Sequence, residues 1–183
     1  MNWLRVMLLL LLAFVGVFAQ ATVELPRRWL GAQFSVLPAV VVCAAVSADI
    51  TTVTLVAVVG GLWLDALSAN PLGVSMLPLF LVGFLLNRWQ DLVLREIAYA
   101  QSVLGLLATV GVTLMKLVLL LTLGEHPLLG WGVLWQLLVV GAGGAVLTPL
   151  ACRFVEALTG LFAYLPEPSS AFRTDREIKR GRT

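Results

Sequence analysis

The chain alternates between apolar segments and short polar breaks. Six apolar segments are visible, at residues 3–22, 34–48, 50–67, 71–87, 98–123 and 131–154. The second, third and fourth are short for a helix that crosses a bilayer, which needs about 20 residues. "SAD" and "SANP" separate them, and both have the Ser, Asp, Asn and Pro chemistry of turns. We therefore predict six transmembrane helices. The alternative is five, in which residues 34–67 form one span with a re-entrant piece.

The composition places these segments in a membrane. Of the 183 residues, 60% are hydrophobic and 12% are charged, whereas a soluble domain is about half apolar and a quarter charged. A domain of this size has no core large enough to bury so much apolar surface, so much of it must face lipid. We predict an all-α integral membrane domain at residues 1–165 and a basic, disordered cytoplasmic tail at residues 166–183.

Lysine and arginine predict the orientation. With six spans and a cytoplasmic N-terminus, nine of these residues lie inside and only Arg27 and Arg28 lie outside, as the positive-inside rule requires. Both termini are then cytoplasmic. Residues 1–21 also resemble a secretory signal peptide, because Ala19 and Ala21 form an Ala-x-Ala pattern. Whether this helix is cleaved stays open, and the orientation of the remaining spans is the same in either case.

A polar corner joins the third and fourth segments in the stretch "GLWLDALSANPLG". Asn suits a helix N-cap and Pro the first helical position, so we predict that the fourth helix begins at Asn70–Pro71. Asp65 would then lie near the free N–H groups of that helix. A proton or cation site at Asp65 is the functional alternative. The residues of this predicted structural or interaction corner are Gly61, Asp65, Ser68, Asn70, Pro71 and Gly73.

The fifth segment contains the other charge within a span. Helical spacing places five small or polar residues on one stripe: Ser102, Gly105, Thr109, Thr113 and Lys116. Such a stripe faces other helices rather than lipid. Asp65 and Lys116 both fall in the outer half of the membrane, so we predict that they approach each other, directly or through water. The alternative is that Lys116 extends alone to the outer interface. Pairing predicts that exchanging the two charges restores the expression that either single change loses.

The sequence contains no set of residues typical of catalysis. It lacks a phosphate-binding Gly-rich loop, a His-Glu-x-x-His motif and a nucleophile elbow. Cys43 and Cys152 are interpreted as small buried hydrophobes, and His126 is an isolated loop residue. We predict a protein that is not an enzyme and has no catalytic residue, cofactor or metal, and no nucleic-acid partner.

Residues 58–89, "VVGGLWLDALSANPLGVSMLPLFLVGFLLNRW", resemble the rod shape-determining MreD family, whose members carry a similar Gly-x-x-x-Asp-x-x-Ser-x-x-Pro-Leu-Gly corner. The resemblance implies a non-catalytic scaffold of the bacterial cell-elongation machinery in the inner membrane. It also implies a six-helix bundle similar to the substrate-binding subunits of energy-coupling-factor vitamin transporters. The implied partners are an MreC-like protein, MreB filaments, RodZ, RodA and a penicillin-binding transpeptidase.

The second hypothesis is a small-molecule binding subunit of a membrane transporter, built on a similar bundle. Its ligand site would lie near Asp65 and Lys116. The neighbouring genes distinguish the two hypotheses, because they would encode either an MreB filament with an MreC-like protein or transporter ATPases.

Overall fold

The computed structural model describes residues 3–22, 35–68, 71–89, 98–124 and 131–163. All regular structure within these ranges is helical. The six helices, in chain order, are α1 (Trp3–Thr22), α2 (Leu37–Ser47), α3 (Ile50–Leu67), α4 (Met76–Arg88), α5 (Ala98–Thr122) and α6 (Trp131–Ala163).

Four of these helices, α1, α3, α5 and α6, are long and apolar enough to cross a membrane. α2 and α4 have 11 and 13 residues. At 1.5 Å per residue they are about 17 and 20 Å long, which is less than the hydrocarbon thickness of about 30 Å. Large apolar side chains cover the outside of the bundle, and Met7, Phe14, Leu107 and Leu138 are each at least half exposed. An outer surface of this kind belongs in lipid.

α2 lies at the centre of the bundle. Every residue from Leu37 to Val46 is buried, and α2 contacts each of the other five helices. The helix is apolar on all sides, which is typical of a helix enclosed by others. The side-chain amide of Asn87, in α4, donates to carbonyl oxygens at the C-terminal end of α2, those of Ala45 (3.1 Å) and Ala48 (3.2 Å). Such carbonyl groups have no partner within their own helix.

α5 and α6 pack closely through glycine and threonine. A Cβ atom at Gly105 would lie 2.6 Å from the carbonyl oxygen of Gly144, and one at Gly144 would lie 2.9 Å from the carbonyl oxygen of Gly105. Thr109 and Thr148 are fully buried beside them. Each threonine hydroxyl donates to the glycine carbonyl of its own helix. Small residues allow this approach between helices in lipid, where the hydrophobic effect does not drive association.

Two helix boundaries differ from the sequence prediction by about five residues or more. α4 begins at Met76 rather than at Pro71, because residues 71–75 form a turn. The Val74 N–H donates to the Pro71 carbonyl at 3.4 Å, and Gly73 has a φ of 98°, which no α-helix accommodates. The prediction that Pro71 opens a helix is therefore wrong. α6 continues to Ala163, beyond the predicted end at residue 154. Asn70 and the predicted tail at 166–183 lie outside the described residues.

Candidate functional site: the Asp65 corner and the Lys116 pocket

Asp65 lies in the last turn of α3, and its carboxylate holds the turn that leads to α4. The side chain is only 1% exposed. Its Oδ2 atom accepts hydrogen bonds from the backbone N–H groups of Gly73 (2.9 Å) and Ser75 (3.0 Å). These donors belong to the turn before α4, not to the first turn of the helix as the sequence suggested. A carboxylate at a helix C-terminus is opposed by the helix dipole, so the two donors offset an unfavourable position.

Two glycines make this corner possible. A Cβ atom at Gly61 would lie 2.7 Å from the Cα of Met76, so only glycine lets α3 approach the start of α4 this closely. Gly73 is the third residue of the turn that the Pro71 carbonyl closes with Val74, and a type II turn requires positive φ at that position. Ser68 ends α3, and its hydroxyl donates to the carbonyl oxygen of Leu64. The close contact at Gly61, the Ser68 hydrogen bond and the turn at Gly73 therefore fix the backbone at residues 61–68 and 71–76.

Two buried polar atoms beside this turn lack a hydrogen-bond partner. They are Asp65 Oδ1 and Ser75 Oγ, neither of which contacts a donor or acceptor in the described part of the chain. Ser75 is 1% exposed. Most buried polar side-chain atoms have at least one partner, and an unsatisfied one costs about 1–3 kcal/mol. The corner therefore retains unused hydrogen-bonding capacity.

Lys116 of α5 lies near the corner but does not form an ion pair with it. The charges of Asp65 and Lys116 attract each other, while no oxygen–nitrogen contact within 4.0 Å joins them in the described structure. Lys116 is half-buried. The predicted approach of the two side chains is thus an electrostatic attraction without a direct ion pair.

Lys116 also lines a cavity of about 150 Å³, which we name the Lys116 pocket. All six helices contribute to it, and its apolar part includes Pro38 of α2, Leu64 of α3 and Leu79 of α4. Besides Lys116, its polar lining consists of Gln20, Ser35, Ser68, Ser75, Thr113 and Gln136. Lys116 is the single charged residue among the described residues that line it.

The predicted polar stripe on α5 connects the helix contact with this pocket. Thr109 is buried in the contact with α6. One turn further along, Thr113 donates its hydroxyl to the Thr109 carbonyl at 2.7 Å and lines the pocket with Lys116. Ser102, at the other end of the stripe, is half-buried and also has an interaction partner. The stripe therefore faces the bundle along its length.

A second cavity, of about 170 Å³, lies at the opposite end of the bundle, near the start of α1. Cys43 and Cys152 are both buried there, and their side chains contact each other. The Arg5 guanidinium donates to the Ser47 carbonyl at 3.4 Å beside this cavity. Among the residues that the structure describes, no group of three His, Cys, Asp or Glu side chains is placed to hold a metal ion.

Sequence reasoning identified Asp65 and Lys116 but missed Gln20, Ser75 and Gln136. The two glutamines are isolated polar residues within apolar segments, and such residues in a span tend to face protein. That signal was present in the sequence. Ser75 gave no signal, because a serine near a helix start is ordinarily a capping residue.

These features define a helical membrane-embedded protein with a buried carboxylate corner and a polar pocket to which every described helix contributes. The chain matches no model of a known protein family, no curated protein sequence and no solved structure.

Proposed function

We propose that this protein is a non-catalytic scaffold of the bacterial cell-elongation machinery. In this role it spans the inner membrane six times, with both termini in the cytoplasm, and links an MreC-like protein and MreB filaments to peptidoglycan synthesis. RodZ, RodA and a penicillin-binding transpeptidase belong to the wider complex. The proposed bundle is similar to the substrate-binding subunits of energy-coupling-factor transporters. Support comes from the resemblance of residues 58–89 to the MreD family.

One structural observation carries the proposal. The residues that give the resemblance also build the Asp65 corner, in which Gly61, Asp65 and Gly73 fix the backbone. The same corner presents apolar side chains outward, since Leu67 is 50% and Leu72 is 72% exposed. A rigid backbone that displays apolar side chains suits protein docking, because little conformational entropy is lost on binding.

The proposal is tested by co-purification of the full chain with an MreC-like protein from native membranes in mild detergent. Leu72→Gln alters the exposed surface without touching the Asp65 hydrogen bonds. Leu161→Gln is the matched control, because Leu161 is also 72% exposed and lies near the end of α6. We expect Leu72→Gln, at equal expression, to reduce recovery of the MreC-like protein several-fold and Leu161→Gln to leave it unchanged. Failure of the wild-type chain to retain any elongation protein contradicts the proposal.

A binding subunit of a transporter remains the second candidate, and the Lys116 pocket is the observation that favours it. Helices that converge around a polar cavity are a common setting for a small-molecule site. In the same co-purification, recovery of transporter ATPases in place of an MreC-like protein would support this second function.

A further inference from the structure

We propose that the Lys116 pocket is a binding site for an anionic group, a phosphate or carboxylate that carries a neighbouring hydroxyl. The inference is independent of the scaffold function, because it concerns the inside of the bundle rather than its docking surface. Four properties of the pocket support it: its charge, its free donors, its free acceptors and its size.

The charge in the pocket is positive. Lys116 lines it, whereas the Asp65 carboxylate is absent from its lining. Asp65 Oδ2 already accepts two backbone N–H groups. The Lys116 ammonium group forms no hydrogen bond or ion pair with the residues that the structure describes, so its donors are available. A charge within a bilayer is costly, and an anion in the pocket relieves that cost more directly than Asp65 does across the intervening space.

Ser75 supplies a second free donor. Its Oγ atom is buried without a partner, and the residue lines the pocket. A serine hydroxyl is both donor and acceptor, so an anionic oxygen in the pocket would satisfy it. Lys116 comes from the C-terminal part of α5, and Ser75 precedes the start of α4. An oxyanion that accepts from both therefore bridges two elements.

Ser68 and Thr113 supply acceptors. Their hydroxyl protons are already donated to the carbonyl oxygens of Leu64 and Thr109 within their own helices. Only lone pairs of these two oxygens remain for a ligand. The lining thus offers donors at Lys116 and Ser75 and acceptors at Ser68 and Thr113, which fits an anionic oxygen next to a hydroxyl.

The size of the pocket limits the ligand. Its volume of about 150 Å³ is comparable to that of an engineered apolar cavity that takes up benzene. A glycerol phosphate group is in this range, and a nucleotide is not. Glycerol phosphate can be a soluble molecule or part of the headgroup of a phospholipid, and the experiment separates these two sources.

The test uses the full chain in a neutral maltoside detergent without phosphate. The thermal unfolding midpoint is followed by tryptophan fluorescence during titration with sn-glycerol 3-phosphate, with glycerol as the uncharged control. In parallel, phosphatidylglycerol is added in mixed micelles, with phosphatidylcholine as its control. We expect a saturable rise of the midpoint with at least one anionic probe and with neither control. Saturation with the soluble probe indicates a free anion, and saturation with phosphatidylglycerol alone indicates a lipid headgroup.

Variants assign the binding to the pocket. Lys116→Gln is expected to weaken the apparent affinity about tenfold or more, since it removes a charged hydrogen-bond donor. Ser75→Ala is expected to weaken it about threefold or more, and it removes a hydroxyl that has no partner in the described structure, so folding is spared. If Lys116→Gln fails to fold, the affinity of Ser75→Ala alone tests whether the anion binds in the pocket. Arg153→Gln is the control, because Arg153 is exposed and lies near the second cavity.

Three results would overturn the proposal. The first is the absence of a saturable response to both anionic probes, which would leave water as the occupant of the pocket. The second is an affinity that Lys116→Gln and Ser75→Ala leave unchanged. The third is an equal loss in Arg153→Gln. None of these results affects recovery of an MreC-like protein, so the two proposals fail separately.

Discussion

Gly105 of α5 and Gly144 of α6 lie against each other, and each occupies the space that a side chain on the other would need. A Cβ atom at either position would come within 3 Å of the carbonyl oxygen of the other glycine. Thr109 and Thr148 flank the pair with hydroxyls turned back onto their own helices. On each side the contact is therefore closed by a glycine carbonyl and a buried threonine side chain of the facing helix.

Gly144→Ala is expected to force α5 and α6 apart. Its Cβ would meet the Thr109 side chain as well as the Gly105 carbonyl, and overpacking of this kind costs about 1–3 kcal/mol of the free energy of unfolding. Gly132→Ala in the same helix is the matched control, because a Cβ there has no neighbour within 4 Å. Equilibrium denaturation in mixed detergent micelles measures both. Equal stability of the two variants would contradict the close contact.

Asp65→Ala is expected to destabilise the protein by about 3 kcal/mol or more. The substitution leaves the N–H groups of Gly73 and Ser75 without an acceptor, and a hydrogen bond to a charged group contributes about 1.5–3 kcal/mol. Asp49→Ala serves as the control: Asp49 precedes α3, is exposed and forms no side-chain capping hydrogen bond. The thermal midpoint of the purified proteins provides the comparison, and a similar loss in both would argue against a structural role for Asp65.

The charge exchange, Asp65→Lys with Lys116→Asp, is expected to fail as a rescue. Sequence reasoning treated the two residues as a simple pair, which an exchange would preserve. In the structure Asp65 is chiefly an acceptor for two backbone N–H groups, and a lysine ammonium group has no acceptor to offer. The yield of monodisperse protein in size-exclusion chromatography should therefore be no higher for the double variant than for Asp65→Lys. Recovery to the wild-type yield would restore the pairing hypothesis.

Gly73→Ala is expected to cost about 1–2 kcal/mol through the backbone alone. A Cβ atom at Gly73 has no neighbour within 4 Å, so steric conflict with other residues is absent, but φ is +98°. Gly73→Asn should cost less, because asparagine tolerates positive φ better than alanine does. Thermal midpoints would rank the wild type first, then Asn, then Ala. In the control Gly160→Ala, the new Cβ in α6 has no neighbour within 4 Å, and alanine favours a helix more than glycine does, so the midpoint should not fall.

The apolar pattern predicted the bounds of the helices more accurately than it predicted which helices face lipid and which are enclosed by other helices. α1 and α3 have the predicted bounds, and α5 ends one residue early. The central position of α2 was not predicted, although its sequence has no polar face. The reason is physical: lipid is as apolar as a protein core, so composition does not distinguish a helix that faces lipid from one enclosed by other helices.

The start of α4 shows a different limit of the sequence. Asn-Pro is a valid helix-start signal, yet Gly73 two residues later adopts positive φ and postpones the helix to Met76. A glycine permits this conformation without requiring it. What selects it is the Asp65 carboxylate, which accepts the N–H groups that the turn presents. That acceptor comes from the preceding helix, and local rules for helix starts do not include it.

The position of α2 has a consequence for biogenesis. α2 is made early, but the helices that enclose it include α5 and α6, which are made later. Its 11 residues are too few to span a bilayer alone. The core around α2 is therefore completed only after α6 is inserted. A nascent chain released before α6 would present α2 to lipid and to the proteases that clear incomplete membrane proteins.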